Sequence, residues 1–172
     1  MVYFDLDGVI RWLTFDLRGG KSSRTWSEPL PDGRNMCDAI SANLDYLLTA
    51  PVTPYYDVIK TLPEIHIITH PQPGWKVNTI KWIENHFDSH KLNIHMVKAP
   101  EEKMAFLGEG DLLVEDYPFF KDYSKIVLID WPYNRCVENP FLRIREPQQL
   151  RNFLNYRRSL DEISNDIKSM CL

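Results

Sequence analysis

Cysteine is scarce in this sequence, and long apolar runs are missing from it. The 172 residues include three cysteines without a Cys-x-x-Cys spacing, Cys37, Cys136 and Cys171. This odd, scattered set predicts three reduced thiols and neither a disulfide framework nor a zinc site. No run of about 18 apolar residues predicts a transmembrane helix, and no basic and apolar leader precedes the first strand. We therefore expect a cytoplasmic protein without membrane association.

Positive charge is also in short supply. The 24 Asp and Glu residues outnumber the 20 Lys and Arg residues, which gives a formal net charge of -4 at pH 7. Stable binding of nucleic acid or of an anionic membrane usually requires a basic surface, so we expect neither partner. The hydrophobic share of 44% is that of an ordinary globular protein, and the length suits one domain with a real core.

Internal repeats are absent, and short apolar runs alternate instead with amphipathic segments. This alternation predicts an α/β fold with a parallel sheet and helices on both faces. Predicted strands are the apolar run before Asp5 and residues 65–69, 93–97, 111–114 and 126–129, with a short edge strand at 141–144. Predicted helices cover residues 35–48, 54–62, 74–87 and 147–170. The apolar face of the last helix is predicted to contain Leu150, Phe153, Leu154, Leu160, Ile163 and Ile167.

One long insertion interrupts this alternation. Residues 11–50 separate the first strand from the rest of the chain and contain loop signals such as Gly19-Gly20 and Pro31-Asp32-Gly33. A connection from a strand to a helix usually has 2–6 residues, and much longer ones are generally functional lids. We therefore expect a small, mainly helical cap at 11–50, inserted into a core domain of residues 1–10 and 51–172.

Chemically active side chains follow several predicted strands. Parallel strands have their carboxyl ends at one edge of the sheet, so these side chains are expected to converge there. Carboxylate oxygens suit Mg²⁺, while the hydroxyl of Thr69 and the ammonium of Lys103 can hold a phosphoryl group. Asp-x-Asp-Gly is also common in ordinary turns, which leaves a structural role open for the first pair. The converging carboxylates are Asp5, Asp7, Glu115 and Asp116.

The order of these elements resembles the haloacid dehalogenase-like (HAD) phosphatase superfamily. Asp5-Leu6-Asp7-Gly8-Val9 is similar to its first motif, Ile67-Ile68-Thr69 to its second, Lys103 to its third and Glu115-Asp116 to its fourth. The start of the chain, the Thr69-His70-Pro71 turn and the helix with Trp82 resemble the 5'(3')-deoxyribonucleotidase branch. Two positions depart from that branch, which usually has Asp-Asp in the fourth motif and Thr-Ser in the second.

The resemblance implies a Rossmann-like HAD fold and a Mg²⁺-dependent phosphomonoesterase, most similar to a nucleotidase for nucleoside monophosphates. Asp5 would be the nucleophile that forms an aspartyl-phosphate, and Asp7 the acid that protonates the leaving oxygen and later activates water. Mg²⁺ would be held by the side chains of Asp5 and Asp116 and the backbone carbonyl of Asp7, with Glu115 as a further acid. Thr69 and Lys103 would bind the phosphoryl group.

Residues near these motifs are candidates for further substrate contacts. Trp12 either stacks on a nucleobase or belongs to the core of the predicted cap. His70 and Asn134 follow strands two and five, and each either reaches the substrate or forms an ordinary turn. Lys98 is the alternative to Lys103 as the phosphate-binding lysine.

Two other functions compete with the nucleotidase. One is a HAD phosphatase for another small metabolite or for a nucleic acid end, and the other is a catalytically weak phosphate-binding module. The pair of Asp5 and Asp7 argues against the module, because pure binding needs no second aspartate for acid/base work. The expected partner is a small phosphomonoester, and the oligomeric state stays open, with a homodimer among the alternatives.

Overall fold

An all-parallel sheet of six strands forms the centre of the protein. The computed structural model describes the backbone of residues 1–170 and the side chains of residues 1–160 and 162. The strands are β1 (Val2–Phe4), β2 (Ile65–Thr69), β3 (Leu92–Met96), β4 (Leu112–Glu115), β5 (Ile126–Ile129) and β6 (Leu142–Ile144). They lie in the order β3-β2-β1-β4-β5-β6, and each neighbouring pair is parallel. The predicted α/β class is confirmed, and the strand order is that of a Rossmann-like fold.

Helices occupy most of the predicted helical segments, with shorter bounds. They are α1 (Met36–Ala42), α2 (Tyr46–Thr49), α3 (Tyr56–Ile59), α4 (Lys76–His86) and α5 (Pro147–Met170), with short 3-10 helices at Asp16–Arg18, Ser89–Lys91, Pro100–Phe106 and Pro132–Asn134. The single helix predicted for residues 35–48 is divided into α1 and α2, because Asn43 leaves the helical backbone. Asn and Asp side chains compete for backbone groups and favour helix ends. Over residues 1–170, no helix has both the length and the apolar character needed to cross a membrane.

Side chains alternate between the two faces of the sheet. Phe4 and Val114 belong to the core on one face, which α3, α4 and α5 cover. Leu113 and Leu128 belong to the core on the other face, together with residues of the 3-10 helix Pro100–Phe106 and of loops. Helices flank the sheet as predicted, but these three α-helices all lie on one face. The connection from β3 to β4 contains the 3-10 helix Pro100–Phe106, and the connection from β4 to β5 contains no helix.

Among the described side chains of the last helix, those that belong to the core lie in its first half. Leu150 is fully buried, whereas Leu160 is 39% exposed. The apolar face predicted for this helix is therefore wrong at Leu160. The predicted apolar positions Ile163 and Ile167 and the predicted thiol of Cys171 lie outside the described side chains.

The insertion, residues 11–50, is less helical than expected. It contains α1, α2 and the turn at Asp16–Arg18, and its remaining backbone is irregular. Its apolar core includes Leu13, Ile40 and Leu47, and this core is completed by Trp75 from the segment before α4. The insertion is therefore packed against the sheet domain through shared side chains.

Candidate functional site

The carboxyl ends of three central strands meet at a cavity of about 440 Å³. Asp5 follows β1, Thr69 ends β2 and Asp116 follows β4, and β1 lies between the other two strands. These three side chains line the cavity together with Asp7 and Lys103. The structure thus brings together the residues at the strand ends that the sequence singles out.

Lys103 is an almost fully buried cation at the floor of this cavity. Its Nζ lies 2.8 Å from Asp5 Oδ1 and 2.7 Å from Glu115 Oε1. Burial lowers the pKa of Lys103, but the two adjacent carboxylates raise it above its usual value, so the ammonium keeps its charge. Lys98, the alternative lysine, is exposed and lies outside the cavity lining.

Glu115 supports this lysine. Its side chain is completely buried and lies outside the cavity lining. Glu115 Oε1 accepts a hydrogen bond from Lys103, and Oε2 accepts one from the backbone N–H of Asp116 at 2.9 Å. Burial is the main reason that the pKa of Glu115 is raised, and the Lys103 charge opposes the shift. With both oxygens engaged, Glu115 fixes Lys103 more directly than it faces a ligand.

Asp116 is a buried carboxylate that accepts a hydrogen bond from a tyrosine hydroxyl. The hydroxyl of Tyr133 donates to Asp116 Oδ2. Burial and the neighbouring Asp5 raise the pKa of Asp116 to about 7, while the hydrogen bond from Tyr133 works against this shift. Burial, the nearby Glu115 and Asp7 also raise the pKa of Asp5 well above its usual value, and Lys103 opposes them. Both carboxylates are therefore harder to ionise than usual, chiefly because they are buried and also because other acids lie close to them.

A bound metal ion would offset the negative charge of these carboxylates. Carboxylate oxygens of Asp5, Glu115 and Asp116 lie within 4.8 Å of one another, so the buried acidic cluster could hold a cation. Together with Asp7, these groups provide four carboxylates for two cationic partners, Lys103 and Arg11. When all are ionised, two negative charges remain, which is the charge that one divalent cation neutralises. The oxygen-only donor set suits Mg²⁺, which prefers few carboxylates and several waters.

Asp7 faces the cavity but is also held from behind. Its side chain is 25% exposed, and both of its oxygens accept hydrogen bonds from Arg11, Oδ1 from Nε at 2.7 Å and Oδ2 from Nη2 at 3.1 Å. Arg11 itself is 0% exposed. The sequence interpretation assigns Arg11 no role at the site, although an opposite charge four residues after Asp7 is a signal that points to such a pair.

Aromatic rings form much of the cavity wall. Trp12, from the insertion, is half-buried, stacks on Phe15 with centroids 4.1 Å apart, and lines the cavity. Trp26, also from the insertion, packs edge-to-face against Tyr117 and Tyr133, which follow β4 and β5. The insertion therefore closes over the ends of the central strands through ring contacts.

The two remaining predicted substrate contacts differ from each other. His70 lines the cavity beside Thr69 and is partly exposed. Asn134 is completely buried, lies outside the cavity lining, and donates to the carbonyls of Asp116 and Ile129 at 3.0 and 2.7 Å. The structure thus places Asn134 beneath the site, where it holds two strand ends together.

Comparison with protein-family models, with curated proteins and with solved structures finds no match for this chain. Any statement about its function therefore depends on the residues of the cavity and on the chemistry that they can perform.

Proposed function

We propose that this protein is a Mg²⁺-dependent phosphomonoesterase of the HAD type, which acts through an aspartyl-phosphate and most resembles the 5'(3')-deoxyribonucleotidases. One observation carries the proposal. Asp5 meets a buried ammonium, Lys103, at 2.8 Å and a second buried acid, Asp116, in a cavity that Asp7 also lines. A nucleophile, a fixed cation, a metal-binding acid and a second aspartate for acid/base work are the groups that this chemistry requires.

The reaction runs in two displacements at phosphorus. A carboxylate oxygen of Asp5 attacks the phosphorus, the bond to the leaving oxygen breaks, and that oxygen takes a proton from Asp7. Water then replaces the leaving group, gives a proton to Asp7, and its oxygen attacks the same phosphorus. The bond between phosphorus and Asp5 breaks, which releases inorganic phosphate and restores both aspartates.

The buried acids are the residues that would hold the metal. Asp5 and Asp116 would bind Mg²⁺ through their side chains, and Asp7 through its backbone carbonyl. Bound Mg²⁺ supplies positive charge that offsets repulsion between the carboxylates and an incoming phosphate. Glu115 remains beside Lys103, because both of its oxygens are already engaged.

Lys103 and Thr69 would bind the phosphoryl group. Lys103 is the one lysine or arginine among the described residues that line the cavity, so it is the group that neutralises charge on the transferring oxygens. Thr69 is 1% exposed at the end of β2, where its hydroxyl can donate to a phosphoryl oxygen. Both are held by regular structure and so need little reorganisation during the reaction.

The cavity wall fits a nucleoside monophosphate as substrate, and the resemblance to the deoxyribonucleotidases favours a deoxynucleotide. The volume of about 440 Å³ is within the range of pockets that enclose small ligands. The rings of Trp12 and Trp26 offer surfaces for a nucleobase, and Asn35 and Gln72 offer polar groups for a base or sugar. The insertion would act as a cap that excludes water and selects the leaving group.

Phosphate release tests this proposal. The purified protein is incubated with ribo- and deoxynucleoside monophosphates and with common sugar phosphates, with and without Mg²⁺, beside Asp5→Asn. The proposal predicts Mg²⁺-dependent release from deoxynucleotides that Asp5→Asn abolishes. Release only from sugar phosphates would keep the mechanism and reject the substrate. Binding of nucleotides without any release would favour a phosphate-binding module.

A further inference from the structure

Arg11 binds Asp7, a side chain that lines the cavity, through two hydrogen bonds. Its Nε and Nη2 donate to the two oxygens of Asp7 at 2.7 and 3.1 Å. This two-point geometry fixes both the position and the plane of the carboxylate, because the guanidinium is planar and its donors are rigidly spaced. A single-point donor such as lysine would leave the carboxylate free to rotate.

The guanidinium is itself fixed by the surrounding fold. Nη1 donates to the carbonyl of Leu47 in α2, and Nη2 also donates to Thr79 Oγ1 in α4, both at 3.3 Å. The ring of Trp82, also in α4, lies beneath it, with 5.4 Å between the guanidinium carbon and the ring centroid. Arg11 therefore links Asp7 to the insertion and to the core helix at once.

Burial makes this arrangement hard to break. Arg11 is 0% exposed, and Asp7 is the carboxylate that compensates its charge. If Asp7 rotated away, two buried N–H donors of Arg11 would lose their acceptors, which is unfavourable whether Asp7 is ionised or carries a proton on a lone pair that Arg11 does not use. Asp7 is therefore held in one orientation, while its exposed part continues to face the cavity.

We propose that Arg11 is the positioning residue that holds Asp7 in place for proton transfer. This inference rests on the phosphatase function proposed above. In the first displacement Asp7 gives its proton to the leaving oxygen, and in the second it takes a proton from the water that replaces that oxygen. Both oxygens stand on the same side of phosphorus, opposite Asp5, because each displacement is in line. One fixed carboxylate can therefore serve both steps without moving.

Two aryl phosphates with different leaving groups distinguish this role from a general structural one. Phenyl phosphate releases a basic phenolate that needs a proton, whereas 4-nitrophenyl phosphate releases a weakly basic anion that does not. Proton transfer contributes about 100-fold or more to such reactions. For Arg11→Lys, we expect kcat/KM for phenyl phosphate to fall by about 100-fold and kcat/KM for 4-nitrophenyl phosphate by less than about 10-fold. The losses are compared in kcat/KM because this ratio reports the first displacement, whereas kcat also contains the second displacement, which is the same for both substrates.

Asp7→Asn provides the second readout. If Arg11 acts through Asp7, Arg11→Lys should reduce activity further by no more than about 2-fold once Asp7→Asn is present. Equal losses for the two aryl phosphates, or independent losses in the double variant, would overturn the positioning role. An increase in activity for Arg11→Lys would overturn it too, because Arg11 would then restrain Asp7.

Thr79→Val keeps the test decisive if Arg11→Lys does not fold. It removes one acceptor of Arg11 with little change in shape and leaves Asp7 intact. We expect a smaller loss with the same preference between substrates, and an equal loss for both would overturn the role. A folded wild-type protein that releases no phosphate from these two substrates, from nucleoside monophosphates or from sugar phosphates would overturn the phosphatase function, and this inference with it. If the wild type is active and both Arg11→Lys and Thr79→Val keep its activity on the two substrates, this inference alone would be overturned.

Discussion

Gly8 lies so close to the side chain of Asp116 that position 8 has no space for a Cβ atom. An ideal Cβ on Gly8 would lie 1.8 Å from Asp116 Oδ2, and the φ of Gly8 is +87°. Glycine is thus required twice, for the left-handed backbone and for the space beside a buried carboxylate. This contact links the Asp-x-Asp-Gly loop to the acid that follows β4.

Gly8→Ala should therefore damage the metal site. Strain at positive φ costs about 1–2 kcal/mol for a residue with a Cβ, and the clash must also displace Asp116. We expect a less stable protein that no longer gains thermal stability on addition of Mg²⁺. Unfolding curves with and without Mg²⁺ measure both effects.

Gly74→Ala is the matched control for this experiment. Gly74 has a φ of +86°, but a Cβ there meets nothing within 4 Å. The control should lose stability through backbone strain and keep the full response to Mg²⁺. Equal responses to Mg²⁺ in the two variants would contradict a metal role for Asp116.

Lys103→Met should remove activity and also destabilise the fold. A fixed charge that stabilises a transition state is typically worth about 100- to 1000-fold in rate. Loss of the lysine also leaves Glu115 buried without its cation, which costs about 3–5 kcal/mol for a broken buried pair. Glu115→Gln in the same protein should restore part of the stability without restoring activity. Chemical unfolding and phosphate release measure these effects.

Lys98→Met separates this effect from a general loss of charge. Lys98 is exposed and lies five residues earlier in the chain. Its substitution should leave stability within about 0.5 kcal/mol and leave activity unchanged. If Lys98→Met were the inactive variant, the assignment of the phosphate-binding lysine would be wrong.

The raised pKa of Asp116 predicts how pH affects the metal-free protein. Its pKa in the folded protein is about 7, above the ordinary value of 3.8, so folding favours the protonated form. The stability that this protonation contributes is fully present when the pH is below the ordinary pKa of 3.8, and it is lost as the pH rises through about 7. We therefore expect the melting temperature of the metal-free protein to fall between pH 4 and 7.

The affinity for Mg²⁺ should rise with pH, whereas the melting temperature of the metal-free protein should fall. Metal binding must displace the proton of Asp116, and the pKa of Asp5, the other side-chain ligand, is also raised, so the affinity for Mg²⁺ should rise by at least about tenfold per pH unit up to about pH 7. Calorimetric titration at several pH values measures this slope. Asp116→Asn should abolish both the affinity and the dependence, and a wild-type affinity that is independent of pH would contradict the assignment.

Tyr133→Phe should weaken Mg²⁺ binding without changing the fold. The Tyr133 hydroxyl stabilises the ionised Asp116, and a hydrogen bond to a charged group contributes about 1.5–3 kcal/mol. We therefore expect Mg²⁺ affinity to fall by about tenfold or more. Tyr117→Phe is the control, because the Tyr117 hydroxyl contacts Glu101 at 3.5 Å and not the acidic cluster. A similar loss in both variants would contradict the role of Tyr133.

Much of the fold follows from short-range patterns in the sequence. Apolar runs of three to five residues predict the strands, and alternation with helices predicts their parallel arrangement. The helix predicted for residues 35–48 is interrupted, because Asn43 ends α1 despite an apolar spacing that continues past it. Periodicity records which face of a segment is apolar, but it does not report a local competition for backbone hydrogen bonds.

The candidate site also contains residues that the sequence places correctly and contacts that it does not specify. Residues that end strands, such as Asp5 and Thr69, can be placed from the sequence because the edge of a parallel sheet gathers them. The contact of Tyr133 with Asp116 joins loops after two different strands, and no local pattern specifies it. Asn134 lies one residue further along but is buried outside the cavity lining, so the structure does not place it where the sequence predicts a substrate contact. Tyr133, which contacts Asp116 at the cavity, and Asn134, which does not line the cavity, are neighbours in the same short 3-10 helix.

The covalent intermediate on Asp5 tests the central claim most directly. The protein is mixed with a substrate that it hydrolyses, quenched within one turnover, and reduced with borohydride, which converts an aspartyl-phosphate to homoserine. Peptide mapping then locates the modified residue. The proposed mechanism predicts homoserine at position 5, dependent on substrate and on Mg²⁺. Phosphate release with Asp5 unmodified throughout the turnover, or modification of another residue, would contradict it.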